Sequence, residues 1–155
     1  MSAINKRVVA GLLAAAASTA LVGSAVVPAS AADNELKIQA IIPLTGSLAF
    51  LSPPEIAGLH LAVDEINAAG GVNGQQVSLD ITDSGDGDTL SIADQSATKA
   101  VSNGVDVVIG AAASGVTRSI INKITGAKIV QISMSNTAPD LSTWKDGGYY
   151  FRTAP

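Results

Sequence analysis

The sequence contains no cysteine, only one histidine and only 3% aromatic residues. Without cysteine, the chain forms no disulfide bond and carries no lipid on an N-terminal cysteine. Any serine nucleophile would have to use His60 as its histidine base. Charged residues make up 14% of the chain, and the formal net charge is −4. This acidic balance argues against a nucleic-acid partner and indicates a soluble protein.

The first 31 residues have the pattern of a secretory signal peptide. Lys6 and Arg7 give a positive start, residues 8–27 form an apolar stretch, and Ala29 to Ala31 offer a small-residue cleavage site. The remaining part then carries seven basic and thirteen acidic residues, a charge of −6. The alternative is a retained membrane anchor, because the apolar run approaches spanning length. Its content of alanine, glycine and serine favours cleavage after Ala31, and hence an exported protein.

Strands and helices are predicted to alternate after the signal segment. Alternation of this kind is typical of an α/β fold with an open parallel sheet and helices on both faces. The Val- and Ile-rich run 105–109 supports it, because strands buried on both faces read as continuous apolar runs. The predicted strands are 36–43, 76–82, 105–110, 128–133 and 149–152, and the predicted helices are 54–69, 89–103 and 115–125.

Local signals set the predicted helix ends. Ser52 and Glu55 have the spacing of a capping box, and Asp88 is a candidate N-cap for the second helix. Gly70 and Gly71 can adopt the positive φ that ends the first helix, and Gly104 can do so for the second.

Five motifs in order resemble the extracytoplasmic solute-binding proteins of ABC transporters, of the branched-chain amino acid type with the type I periplasmic binding fold. The motifs are PLTG at 43–46, DEINAAGGVNG at 64–74, VVIG at 107–110, SMSNTAPDL at 133–141 and YFRT at 150–153. The resemblance covers nearly all of residues 32–155.

The resemblance implies a non-catalytic, monomeric binder without a cofactor or metal. It would capture an amino acid-like solute outside the membrane and deliver it to an ABC permease. Residues 32–155, about 124 in number, suffice for the N-terminal lobe of such a protein but not for the second lobe. We therefore expect a fragment or a truncated product.

The expected site lies at the carboxyl edge of the sheet. With strand order 2-1-3-4-5, the loops after strands 1 and 3 diverge and leave a crevice there. Loops 45–52, 110–115 and 133–137 would surround it, and all three carry small hydroxyl residues. Position alone thus indicates a polar, uncharged site.

Ser114 is the main candidate, because it opens the third helix, whose N-terminus attracts a carboxylate. The alternative is a plain N-cap serine, and both roles can hold at once. The resemblance implies that Ser114 and Thr137 contact the amino acid head group and that the main-chain carbonyl of Ser135 accepts from its ammonium group. Asn136 and Leu51 complete the predicted substrate-binding residues. Asn136 replaces a smaller residue expected there, and Leu51 stands where many amino acid-binding members carry an aromatic side chain.

Other site types fit poorly. The acidic run 83–88 lacks the spacing of an EF-hand loop and indicates a solvated turn. Val116 stands where a phosphate-binding loop needs lysine. Ser114 lacks the flanking glycines of a nucleophile elbow. The leading hypothesis is therefore a transport binding protein, with a receptor's ligand-sensing domain as the alternative and an exported hydrolase using Ser114 as a third possibility.

Overall fold

The structure is a computed structural model that describes residues 35–154, and the signal segment predicted at 1–31 lies outside them. The described residues form a five-stranded parallel sheet of order β2-β1-β3-β4-β5 and three α-helices. The strands are β1 Lys37–Ile42, β2 Ser78–Asp83, β3 Val107–Gly110, β4 Val130–Ser133 and β5 Tyr150–Arg152. The helices are α1 Ser52–Ala68, α2 Leu90–Asn103 and α3 Ser114–Gly126, with short 3-10 helices at Ala49–Leu51 and Pro139–Thr143.

The predicted fold class and strand order are confirmed, and every predicted strand and helix boundary falls within two residues of the observed one. The sequence did not predict the two 3-10 helices. Within residues 35–154, no helix is both long enough and apolar enough to cross a membrane.

One face of the sheet packs against α2 and α3 and holds the main core. Small alanines of α2 meet the larger apolar side chains of α3, with Ile41 and Val108 of the sheet beneath them. The core residues from the two helices are Ala93, Ala97, Ala100, Val116, Ile120 and Ile124, all without solvent exposure. Burying each isoleucine contributes about 1.5 to 3 kcal/mol. This face fixes the start of α3, where the expected site lies.

The opposite face carries α1 and is less well covered. Only Ser52 of α1 is buried, while Leu61 is 60% exposed. Apolar residues recur at helical spacing on α1 and form a stripe, but Ile56, Leu59 and Val63 are only half-buried and Ile66 is 37% exposed. Helices therefore lie on both faces as predicted, but α1 does not bury its stripe completely.

Two predicted N-caps are wrong, although the helices begin within two residues of the predicted positions. The Ser52 hydroxyl donates to the Pro43 carbonyl at 2.5 Å instead of capping α1. Asp88 does not cap α2, because that helix begins at Leu90 and follows Thr89.

The predicted glycine helix ends are confirmed. Gly104 is the left-handed C-cap of α2 with a φ of 61°. Gly71 has a φ of 73°, and a Cβ there would lie 1.8 Å from the Gln75 carbonyl oxygen. The turn after α1 therefore requires glycine at this position.

Candidate ligand-binding site

The three loops expected to form the site lie at one edge of the sheet. β1, β3 and β4 are adjacent and parallel, so the segments that follow their carboxyl ends are neighbours. This is the edge at which open parallel sheets bind ligands.

Ser114 joins the loop after β3 to the loop after β4. Its hydroxyl oxygen accepts hydrogen bonds from the N–H groups of Thr137 at 3.2 Å and Ala138 at 3.3 Å. Ala113 occupies the N-cap position with an extended backbone, and Ser114 is the first residue of α3. Ser114 is thus not the N-cap itself, but it stands where the helix dipole is positive.

Ser135 and Thr137 lie beside Ser114 on the loop after β4. The Ser135 hydroxyl donates to the Ala112 carbonyl at 2.9 Å, which ties the two loops a second time. Thr137 is exposed, so its side chain can reach a ligand. The structure therefore brings three of the predicted site residues together.

Asn136 differs from the expectation, because its side chain points into the protein. The residue has no solvent exposure, and its amide nitrogen donates to the carbonyls of Ala111 at 3.0 Å and Ala112 at 2.8 Å. Its side-chain oxygen accepts from the Tyr150 hydroxyl at 2.8 Å. Both amide hydrogens are used within the protein. The side chain therefore holds the two loops together, and contact of Asn136 with a ligand stays a prediction.

Arg152 fastens the same loop from β5, a role that sequence reasoning missed. Its guanidinium donates to the Ala138 carbonyl at 2.8 Å and to the Ser142 hydroxyl at 2.6 Å. The sequence signal was an arginine in the last strand, but its partners are 10 and 14 residues away in the chain. Only the fold shows which groups it reaches.

The loop after β1 is held by the acidic turn after β2. The backbone N–H of Thr45 donates to Asp83 at 3.1 Å, and that of Ser47 donates to Asp86 at 2.9 Å. Burial raises the pKa of the Asp83 carboxyl, but hydrogen bonds from Thr45, Gly85 and Leu44 lower it by more, so its pKa lies below the usual value. Residues 83–88 thus act as a turn that braces the neighbouring loop.

Leu51 closes the 3-10 helix of this β1 loop and is half-buried. Phe50 next to it is 71% exposed. Leu51 therefore lies at the correct edge, on a loop next to the one that carries Ser114, and its contact with a ligand stays a prediction.

Comparison with known proteins identifies the family. Residues 35–155 match the family model described as periplasmic binding protein. The chain belongs to this family. As a periplasmic binding protein, it has the parallel sheet that the alternating strands and helices predicted, and the resemblance seen in the sequence is confirmed.

The curated relatives of this periplasmic binding protein are named for binding branched-chain amino acids. BraC3, a Leu/Ile/Val-binding protein of Rhizobium johnstonii, is 32% identical over 111 residues, which are 72% of this chain and 30% of BraC3. Leu/Ile/Val-binding protein homolog 8 of Brucella abortus is 34% identical over 129 residues, 81% of this chain and 30% of the relative. The chain therefore spans about a third of the length of these relatives.

A solved structure agrees with these relatives. The branched-chain amino acid transporter substrate-binding protein LivJ from Streptococcus pneumoniae, in complex with isoleucine, has a TM-score of 0.69 and 35% identity, over 76% of this chain and 33% of LivJ. These similar proteins are named for binding and transport, which confirms the expectation of a binding protein rather than an exported hydrolase.

Proposed function

We propose that this chain is the first-lobe part of an exported solute-binding protein that captures a small amino acid or a related carboxylate. Residues 32–155 form this lobe, and residues 1–31 are the signal peptide. N-terminal sequencing of exported protein tests the proposed cleavage, and a retained Met1 would contradict it. In the complete protein, a second lobe closes over the solute and the complex docks on an ABC permease.

The observation that carries this proposal is the position of Ser114. It lies at the first turn of α3 and touches the loop after β4, at the carboxyl edge of the sheet. The first hydrogen bond that closes this turn runs from the Thr117 N–H to the Ala113 carbonyl at 3.0 Å. The preceding N–H groups of α3 point out of the helix and, with the dipole, attract an anion.

The hydroxyls nearby can donate hydrogen bonds to a carboxylate. Ser114 accepts from two N–H groups, so its own proton is available to donate to a ligand oxygen. Beside the half-buried Ser114, Thr137 adds an exposed hydroxyl on the facing loop. We propose that the main-chain carbonyl of Ser135 accepts from the ammonium group, whose counter-charge comes from the second lobe.

Calorimetry tests this function on a version of the chain that includes a second lobe. A panel of amino acids and simple carboxylates is titrated, and leucine amide serves as the control because it lacks the carboxylate of leucine. We expect micromolar binding of at least one amino acid, about −8 kcal/mol, and much weaker binding of its amide. Failure of every amino acid and carboxylate to bind would refute the proposal.

The chain alone should bind the same solute only at millimolar concentrations or above, about −4 kcal/mol or weaker. One lobe leaves much of the ligand in water, and a ligand gains affinity by being enclosed. Micromolar binding by a folded, monomeric sample of the chain would contradict the proposed division into two lobes.

Transport and sensing use the same site and differ in the partner. A transport protein, when loaded with solute, stimulates ATP hydrolysis by its permease, whereas a sensing domain does not. Measurement of permease ATPase activity with and without the loaded protein distinguishes the two roles.

A further inference from the structure

The turn after α1 contains an Asn-Gly pair that the candidate site does not use. Asn73 and Gly74 are the two central residues of this turn, and Val72 and Gln75 on either side form an isolated antiparallel bridge. The φ angles are 53° at Asn73 and 77° at Gly74. Two positive φ angles in a two-residue turn are typical of type I′, for which Asn-Gly is a preferred pair. The motif at 64–74 therefore ends in a turn that suits these two residues.

An Asn-Gly pair can lose the asparagine amide without an enzyme. The main-chain nitrogen of the glycine attacks the side-chain carbonyl carbon of the asparagine, which closes a succinimide ring. Glycine favours this attack because it has no Cβ to shield its nitrogen. The fold controls the reaction in two ways: the glycine N–H must be accessible, and the asparagine must be able to rotate until the two atoms meet.

The Gly74 nitrogen is accessible in this structure. Its N–H group donates to no acceptor among residues 35–154. Asn73 and Gly74 are both exposed. A Cβ built on Gly74 would meet no atom within 4 Å, so the space beside the residue is open to water. The turn thus meets the first requirement.

The turn can also open while the elements beside it stay folded. The bridge that closes it consists of two backbone hydrogen bonds, from the Val72 N–H to the Gln75 carbonyl at 2.8 Å and from the Gln75 N–H to the Val72 carbonyl at 2.9 Å. Beyond the turn, the Asn67 side chain donates to the Val77 carbonyl at 3.0 Å and accepts from its N–H at 2.7 Å. Local opening between these fixed points lets Asn73 rotate.

The fold holds the second Asn-Gly pair of the chain, Asn103 and Gly104, more firmly. Asn103 is the last residue of α2, and Gly104 is its left-handed C-cap. The Gly104 N–H donates to the Val101 carbonyl at 3.2 Å, and the N–H of the buried Val105 donates to the Ala100 carbonyl at 3.2 Å. Both pairs are exposed, so exposure does not distinguish them. For Asn103 to react, the end of α2 must open and release these bonds.

We propose that Asn73 is a modification site at which the folded chain deamidates spontaneously through a succinimide, while the fold protects Asn103. A bond forms between the Gly74 nitrogen and the Asn73 Cγ atom, the bond from Cγ to the side-chain nitrogen breaks, and the Gly74 proton leaves with that nitrogen as ammonia. Water then opens the ring, at Cγ to give aspartate or at the main-chain carbonyl to give isoaspartate. The turn precedes β2, so it lies at the opposite edge of the sheet from the candidate site. The modification is therefore separate from solute binding.

Peptide mapping of aged protein tests the proposal. The 155-residue chain is incubated at mildly alkaline pH, where the glycine nitrogen loses its proton more readily, once in buffer and once in urea. The urea sample is the matched control, because each asparagine keeps its neighbours in the chain but loses the fold. Mass spectrometry of proteolytic fragments follows the conversion of each asparagine, and fragmentation that distinguishes isoaspartate from aspartate identifies the products.

We expect the fold to slow deamidation of Asn103 by at least about tenfold more than that of Asn73, because only the Asn103 reaction has to open a helix end. The product at position 73 should contain both aspartate and isoaspartate, since water can open the ring at either carbonyl. Equal slowing at the two sites would overturn the proposal. A product at position 73 that contains aspartate alone would also overturn it, because no succinimide would then have formed.

Two variants provide a second measurement by anion exchange, which separates the deamidated form by its additional carboxylate. Asn73→Gly removes the reactive amide and retains a residue that accepts a positive φ. Asn103→Gln is the matched control, because it removes the other Asn-Gly pair. We expect the more acidic form to accumulate in the folded wild type and in Asn103→Gln, and not in Asn73→Gly. Accumulation of the same form in Asn73→Gly would assign the reaction to another residue and contradict the proposal.

Discussion

The hydroxyl of Tyr150 donates a hydrogen bond of 2.8 Å to the side-chain oxygen of Asn136, and both residues are buried. Asn136 in turn donates to the carbonyls of Ala111 and Ala112. This chain of contacts connects β5 with the ends of β3 and β4. The shape of the candidate site therefore depends on buried side chains that connect its loops.

Tyr150→Phe should destabilise the chain by about 1 to 3 kcal/mol, because it leaves the buried oxygen of Asn136 without its donor. Tyr149→Phe is the matched control: the half-buried Tyr149 ring packs near the Lys128 ammonium, 5.2 Å away, and phenylalanine retains that ring. Urea unfolding of the chain that begins at Ala32 measures the free energy of unfolding of both variants. Equal stability of the two variants would show that the Tyr150 bond contributes nothing.

Gly110→Ala should destabilise the protein by about 1 to 3 kcal/mol or more. Gly110 has a φ of 121°, and an added Cβ would lie 2.1 Å from the Ile41 carbonyl oxygen of the neighbouring strand. Gly126→Ala is the control, because it lies in α3, has no positive φ and has open space around it. Thermal unfolding should show a loss for Gly110→Ala and no loss, or a small gain, for Gly126→Ala.

Ser114→Ala and Thr137→Ala should each weaken solute binding by about 1 to 3 kcal/mol in a protein with both lobes, because each removes a hydroxyl from the charged head group. Ser102→Ala, an exposed serine near the end of α2 and away from the site, is a control that should bind normally. Calorimetry measures the affinities. Unchanged affinity in both site variants would show that Ser114 and Thr137 do not bind the solute. The assignment of the fold would not be affected.

Lowering the pH should destabilise the wild-type chain more than it destabilises the Asp83→Asn variant. The folded pKa of Asp83 is below its ordinary value, so the carboxylate contributes stability above a pH of about 4 and loses it as the pH falls through the folded pKa. Denaturant unfolding between about pH 6 and pH 2 measures the difference. The exposed Asp88 in the same turn provides the control: Asp88→Asn should follow the wild type. An Asp83→Asn protein with the same acid sensitivity as the wild type would contradict the stabilising role assigned to the Asp83 carboxylate.

Much of the fold was predictable because its signals are local. Apolar periodicity marked α1 and the strands, and glycines at 71 and 104 marked helix ends that need a positive φ. Once strands and helices alternate, a parallel sheet with its site at the carboxyl edge follows. Ser114, Ser135 and Thr137 could be placed together on this basis, because they follow adjacent strands.

Tertiary structure decided how individual side chains are used. The sequence favoured caps at Ser52 and Asp88, but the Ser52 hydroxyl bonds Pro43, and α2 begins after Thr89. It placed Asn136 at the ligand, but Tyr150 and two carbonyls hold that side chain inside.

The sequence by itself thus determined the order of the elements, the family and the sheet edge at which the candidate site lies. The fold alone decided which hydroxyls remain free for a ligand, which acids brace a loop and, within residues 35–154, which Asn-Gly pair leaves its glycine N–H unbonded. The physical reason is that backbone conformation follows from neighbouring residues, whereas a polar side chain bonds whichever group the fold brings within about 3 Å.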